Sequence, residues 1–525
     1  MPAADTFYQT CADHQHWREP SIEVVILFLG SCLAMTPRIS DVSERGIKAS
    51  AEATSYFAAV IKLNERLWSP EDPEGNIVMS IAENRLTVDL IKDKLQSNLS
   101  FPDSVFFYDN TAGSAKMKSA MIGLLQHTFM KGLKLNPDNV TVSSGCGAVI
   151  SNLIYCVTQP GEGIAIPAPY YPAFDFDLTC KNDAVPVAVH LSASDQPYDQ
   201  QLQAASDEYL QTSGKRLVAL LVTNPDNPTG TVYSEQHLLQ MLKWCVQNKV
   251  HMISDEIYAN SIFKPDCQFT SMAVLASGAE EHGLNPEDVK SYVHVIFGLS
   301  KDWCASGLRV GCLWTLNARI QAALQNVNAF YGVSGIAQHM IADMLEDLSF
   351  VDKYLKENKR RLGSAYDTLA GALIKAGIKF TPAAGSVFCW VDLRSALSQP
   401  TWKAERQLWE EGFVQRCGFI ITPGQASHAS EPGFFRICYA IVDHETILQL
   451  VQRLVGFITK SDAERQQVGT ILAISFQAGK LGRVARPFIV SSTASMCCFF
   501  HAYVYAYASH FNVPKVDCGG LTMCI

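Results

Sequence analysis

The chain has 525 residues, 48% of them hydrophobic and 18% charged, a composition that supplies one large or two medium cores and excludes disorder throughout. With 42 basic against 51 acidic residues and a formal net charge of -9, it carries no global basic field for nucleic acid or an anionic membrane, so a small-molecule partner is expected. The sixteen cysteines are scattered, and the only tight pair, Cys497 and Cys498, has neither redox-motif nor zinc-ligand spacing.

Residues 1–40 show no periodic pattern and read as a poorly structured leader. The apolar stretch Val24 to Met35 lacks the preceding positive charge and the cleavage site of a secretory signal, which points to a cytoplasmic protein. Regular patterning follows, with short β-branched runs at Asn139 to Ser143, Leu217 to Val222, Val250 to Ser254 and Val293 to Phe297, separated by helical segments. That alternation predicts an α/β fold with a mainly parallel sheet covered by helices on both faces. Phe350 to Ala376 and His444 to Thr459 read as amphipathic helices flanking a strand at Ser386 to Asp392, which suggests a second, smaller α+β domain. Beyond residue 460 the character changes. Phe488 to Phe511 is apolar and aromatic and long enough to span a bilayer, but its Ser, His and Tyr content reads as an atypical extension.

The chemistry-bearing strings follow predicted strands, where open α/β sheets place their ligands. Ser143 to Gly147 (SSGCG) opens a helix starting near Ala148, whose N-terminal amides suit a phosphate; alone, the string is also an ordinary turn. Pro169 to Pro172 (PYYP) offers Tyr171 as an aromatic face for a planar ring, with core packing as the alternative. Thr223 to Gly230 (TNPDNPTG) holds Asn227 in a proline-constrained turn as an amide donor. Ser254 to Tyr258 (SDEIY) places Asp255 where a carboxylate can face a protonated pyridine nitrogen, with Tyr258 three residues on; an N-capping Asp is the plainer reading of this string alone. Ser300 to Gly311 (SKDWCASGLRVG) contributes Ser300, Lys301 and Arg309. A lysine sheltered at a strand end has its amine pKa lowered and forms imines, while an arginine fork holds phosphate bidentately.

Together these strings resemble the fold-type I, pyridoxal 5′-phosphate (PLP) enzymes of the class I/II aminotransferase family, and within it the 1-aminocyclopropane-1-carboxylate (ACC) synthases. Met79 to Ile91 (MSIAENRLTVDLI), Phe388 to Arg394 (FCWVDLR) and Ile421 to Ala440 are similar to stretches typical of the synthases. The resemblance implies an aspartate-aminotransferase fold with a seven-stranded sheet, and Lys301 as Schiff-base lysine and Cα base. It implies Asp255 as pyridine-nitrogen partner, Asn227 and Tyr258 as donors to the cofactor phenolate, Tyr171 as stacking residue, and Arg309, Ser300, Cys146 and Gly147 around the phosphate. Arg436 is then the clamp for a substrate α-carboxylate, with Glu83, Asn84 and Thr111 near the substrate. The implied organisation is a leader at 1–40, an N-terminal segment at 41–100 contributing to the small domain, a large PLP-binding domain at 101–345, a small domain at 346–460 and an extension at 461–525. A homodimer acting on an amino acid is implied as well.

Three departures from the family pattern involve four positions. Gly298 stands where a phosphate-binding Ser is usual, Cys146 and Gly147 replace a small residue and a Thr, and Thr111 stands where a Tyr crosses the dimer interface, with Tyr108 close by. Transamination is the expected outcome; ACC formation from S-adenosylmethionine and C–S lysis are the alternatives. A non-catalytic binding module of the same fold is the reading from another class.

Overall fold

The computed structural model describes residues 41–50, 57–192 and 196–459. The leader, Phe488 to Phe511, Cys497 and Cys498 lie outside the described residues. No helix among the described residues is long and apolar enough to cross a membrane.

Seven strands form the main sheet: β1 (Val140–Ser143), β2 (Gly163–Pro167), β3 (Val185–Val189), β4 (Leu217–Thr223), β5 (His251–Asp255), β6 (Val293–Gly298) and β7 (Gly311–Thr315). Their spatial order is β1-β7-β6-β5-β4-β2-β3. All neighbours are parallel except at β7, which runs antiparallel to both β1 and β6. The expected mainly parallel seven-stranded α/β sheet is what the chain forms. Helices cover both faces, so the central strands are buried on both sides and read as continuous apolar runs; every residue of β6 is buried.

A second sheet is antiparallel, with β8 (Lys379–Thr381), β9 (Phe388–Asp392), β10 (Thr422–Pro423) and β11 (Phe434–Cys438) in the order β10-β11-β9-β8. The early segment Ile77–Val78 pairs in parallel with Phe419–Ile420, which brings the residues around Glu83 to this part of the molecule.

Three helices position the site. In α1 (Cys146–Val157), Cys146, Val149, Ile150, Leu153 and Ile154 are buried at helical spacing. Next comes α2 (Phe174–Asn182), with Phe174 and Leu178 inward. The long α3 (Leu348–Lys375) starts at Asp347, whose carboxylate accepts from Phe350 N, and ends before Gly377, which has φ +69°. Its buried stripe, from Val351 through Tyr354, Asn358, Leu362, Tyr366 and Leu369 to Leu373, follows the 3.6-residue repeat. A further helix covers 444–459.

Some boundaries differ from expectation. Asn139 belongs to a 3-10 turn capped by Asn136, and Ser386 adopts a left-handed φ of 63°, so neither extends its strand. α1 begins two residues before Ala148, at Cys146, because Gly145 with φ +87° already ends the preceding loop.

Candidate active site

Lys301 follows β6 in a turn whose backbone is fixed from behind. The Asn84 amide donates to Lys301 O at 3.1 Å and to Asn358 Oδ1 at 2.9 Å. Tyr354 Oη and Asn358 Nδ2 donate to Asp302 O at 3.1 and 3.0 Å, so α3 grips the next peptide. The Asp302 carboxylate accepts from Asn260 N and Ser261 Oγ. Lys301 Nζ donates to Ala82 O. Burial pushes the Lys301 ammonium below its usual range; Cys438 opposes this, and Arg436 adds to it.

A cavity of about 230 Å³ brings together Cys146, Gly147, Tyr171, Asn227, Asp255, Tyr258, Ser300, Lys301 and Arg309. All nine come from strings that the sequence places after strands, and they meet at the C-terminal ends of β4, β5 and β6. Ile150, Phe174, Asp177, Thr223, Ile257 and Ser306 complete the wall, none of them singled out in the sequence. Asp177 is the consequential addition. Burial raises its carboxyl to about 6, and its charge in turn adds to the rise at Asp255. Its signal in the sequence was faint: it stands one helical turn after Phe174, on the same face of α2.

Asp255 ends β5 and accepts from Ile257 N at 3.3 Å. Burial raises its carboxyl to about 7, against the opposing pull of Ile257 N–H and Lys301. Burial likewise holds the Tyr258 phenol well above its usual range, so it faces the cavity as a donor; its ring meets Phe388 edge-on at 5.7 Å. Asn227 is 2% exposed, and its Oδ1 accepts from Arg436 Nη1 at 2.8 Å, which orients Nδ2 as a donor. The turn carrying it is closed by Asp226, whose carboxylate accepts from Thr229 N and Thr229 Oγ1. Tyr171 is half-buried and stands edge-on to Phe174 at 5.2 Å.

Also in the wall, Arg309 (φ 54°) donates from Nη1 to Ser306 O at 3.0 Å. Its guanidinium lies against Gly145, where a Cβ would sit 2.3 Å from Nη2. The first-turn N–H groups of α1, which have no intrahelical acceptors, start at the same place. The cavity wall therefore carries a cation beside the N-terminal amides of α1, a buried carboxylate and two neutral donors. That donor set fits the phosphate, ring nitrogen and phenolate of PLP.

Four expected substrate residues lie outside this wall. Arg436 is 1% exposed; its Nη2 donates to Ser80 O at 2.7 Å and Thr422 Oγ1 at 3.0 Å, and it lies 4.4 Å over the Phe388 ring. Its Nε has no partner among the described residues. Glu83 accepts from Arg85 Nε at 2.6 Å and Ser306 Oγ at 2.7 Å, and so reaches the cavity rim through Ser306. Asn84 departs from expectation, since its buried amide is spent on the Lys301 backbone and not turned to the cavity. Thr111 departs too. Its Oγ1 donates to Gln325 O at 2.6 Å and its carbonyl accepts from Asn328 Nδ2, while Tyr108 is fully exposed.

Comparison with known proteins bears directly on this site. The sequence pattern of aminotransferase class I and II matches residues 76–454. The chain belongs to the class I and II aminotransferase family. Among curated relatives of this aminotransferase-family chain, ACC synthase 11 of Arabidopsis thaliana is 32% identical over 405 residues, 75% of this chain and 86% of the relative. ACC synthase 1 of Oryza sativa subsp. indica is 31% identical over 429 residues, 79% of this chain and 87% of the relative. Among solved structures, a double mutant of Thermus thermophilus aspartate aminotransferase superposes with TM-score 0.65 at 19% identity, covering 80% of this chain and 100% of that one. A Staphylococcus aureus aminotransferase gives 0.63 at 20%, covering 80% and 99%. The aspartate-aminotransferase fold of this family member is thereby shown, and the family is one of PLP-dependent enzymes acting on amino acids.

Proposed function

We propose that this chain binds PLP in the cavity at Lys301 and transaminates an amino acid, as a cytoplasmic homodimer. The observation that carries the reading is the convergence of Lys301, Asp255 and Arg309 on one cavity, with Asn227 and Tyr258 between them. Arg309 and the α1 amides hold a phosphate dianion. Asn227 Nδ2 and Tyr258 Oη would donate to the phenolate oxygen, and Tyr171 is the aromatic side chain that would pack on the ring. A pyridinium beside Asp255 keeps that carboxylate ionised despite its burial. When bound, PLP supplies a sink for the electron pair left at Cα.

The rest is done by the chain's own residues. The lowered ammonium pKa of Lys301 raises its share of free amine, the form that would hold the cofactor. Lys301 Nζ would then be the base for the Cα proton of a bound amino acid. Arg436, whose Nη2 is spent on Ser80 O and Thr422 Oγ1, would meet the α-carboxylate through Nη1 and its unpartnered Nε, orienting the Cα–H bond.

The second reading, ACC formation from S-adenosylmethionine, is favoured by the ACC synthases among the curated relatives. Thr111 weighs for the first, because its hydroxyl is engaged by Gln325 and it contributes no phenol. Product analysis separates them. A 2-oxo acid formed from an amino-acid panel with an acceptor 2-oxo acid supports transamination; ACC from S-adenosylmethionine alone supports the second reading. Turnover of neither supports a binding module.

A further inference from the structure

We propose that the Cys146 thiol is itself a contact for the cofactor phosphate, and that Gly298 is the opening that admits it. This rests on the PLP reading above and deepens it at one end of the cavity.

Cys146 is the first residue of α1 and, only 8% exposed, lines the cavity together with Gly147, Ser300 and Arg309. What lets it sit there is a pair of facing glycines. Gly298, the last residue of β6, is the register partner of Gly311 on β7. A Cβ at Gly298 would lie 2.6 Å from Cys146 Sγ, 3.0 Å from Val310 O and 3.3 Å from Gly311 Cα. A Cβ at Gly311 would lie 2.6 Å from Cys146 N and 2.7 Å from Gly145 C. The N-terminus of α1 is thus seated directly on two residues that have no side chains, and Sγ fills the volume into which any side chain at 298 would point. Position 298 and position 146 compete for one space, and in this chain the cysteine has it.

The protonation state suits a phosphate neighbour. Burial raises the Cys146 thiol well above its ordinary value, and Asp255 pushes in the same direction. A neutral S–H is a weak donor, whereas a thiolate would repel a phosphate dianion. Arg309 supplies the charge at this end, and the thiol supplies a further donor close to the first-turn amides.

The test is a double-mutant cycle read by affinity for two ligands, PLP and pyridoxal, which differ only in the phosphate. Cys146→Ala is expected to weaken PLP by about threefold to tenfold, the range of one net hydrogen bond, and to leave pyridoxal unchanged. Gly298→Ser alone is expected to weaken PLP through the clash with Sγ. In Gly298→Ser/Cys146→Ala the space of Sγ is vacated and PLP affinity recovers above that of Gly298→Ser alone, short of the wild type because the added Cβ still meets Val310 O at 3.0 Å. Equal losses for both ligands in Cys146→Ala, no loss at all, or the same loss from Gly298→Ser with and without Cys146 each overturn the proposal. If Gly298→Ser does not fold, the two-ligand comparison on Cys146→Ala decides alone. A wild-type protein that binds PLP normally while Cys146→Ala shows no selective loss refutes this inference only; a wild type that forms no borohydride-fixed adduct refutes the cofactor reading beneath it.

Discussion

Gly145→Ala tests the phosphate end of the site in two independent ways. Gly145 has φ +87° and ψ 164°, a region that residues with side chains hardly enter, and holding alanine there costs about 1–3 kcal/mol. The added methyl would also sit 2.3 Å from Arg309 Nη2 and 2.8 Å from its Cζ, so the guanidinium must leave its place. An arginine displaced from a phosphate forfeits a charge-assisted contact of about 1.5–3 kcal/mol, roughly tenfold to a hundredfold in affinity. Urea unfolding of the cofactor-free protein reads the first cost, and absorbance titration with PLP reads the second. Arg309→Ala separates them, because it loses affinity without the backbone cost. Gly145→Ala with wild-type unfolding midpoint and wild-type PLP affinity would refute the reasoning.

Two further outcomes follow from named groups. Asp255 has a carboxyl raised to about 7 by burial, above its unfolded value. The folded, cofactor-free protein therefore binds more protons than the unfolded chain between about pH 4 and 7, and this group's contribution to stability falls as pH rises through that window. Asp255→Asn removes the fall, so cofactor-free wild type is expected to lose melting temperature relative to the variant from pH 4 to pH 8; parallel curves would contradict the assignment. Arg436→Ala is expected to raise the KM for the amino acid about tenfold to a hundredfold while PLP absorbance is retained, and an unchanged KM would remove Arg436 from substrate binding.

The parts that were legible in the sequence are those with a local physical signature. Four of the seven main-sheet strands stood out because burial makes them unbroken apolar runs, as in Val293 to Phe297; the edge strand Val185–Val189, only partly buried, did not. The cavity residues were found because a parallel sheet gathers its strand-end turns at one edge. What escaped depends on contacts between distant segments. Asp177 shares a helix face with Phe174, but a carboxylate there reads as the solvated border of that face; packing against α1 covers it, with Oδ1 3.6 Å from where a Cβ of Gly147 would stand. Asn84 pairs with residues 217 and 274 positions away, so nothing near it in sequence announces a role in holding the Lys301 turn. The match between Cys146 and Gly298 is equally invisible, since one opens a helix and the other ends a strand that is far along the chain.

The central claim is that Lys301 is the lysine that carries the cofactor. Borohydride treatment of the PLP-loaded protein followed by peptide mapping tests it most directly. The account predicts loss of the long-wavelength absorbance and a pyridoxyl group on the peptide containing Lys301. Absence of any adduct, or a pyridoxyl group fixed on another lysine, would contradict it.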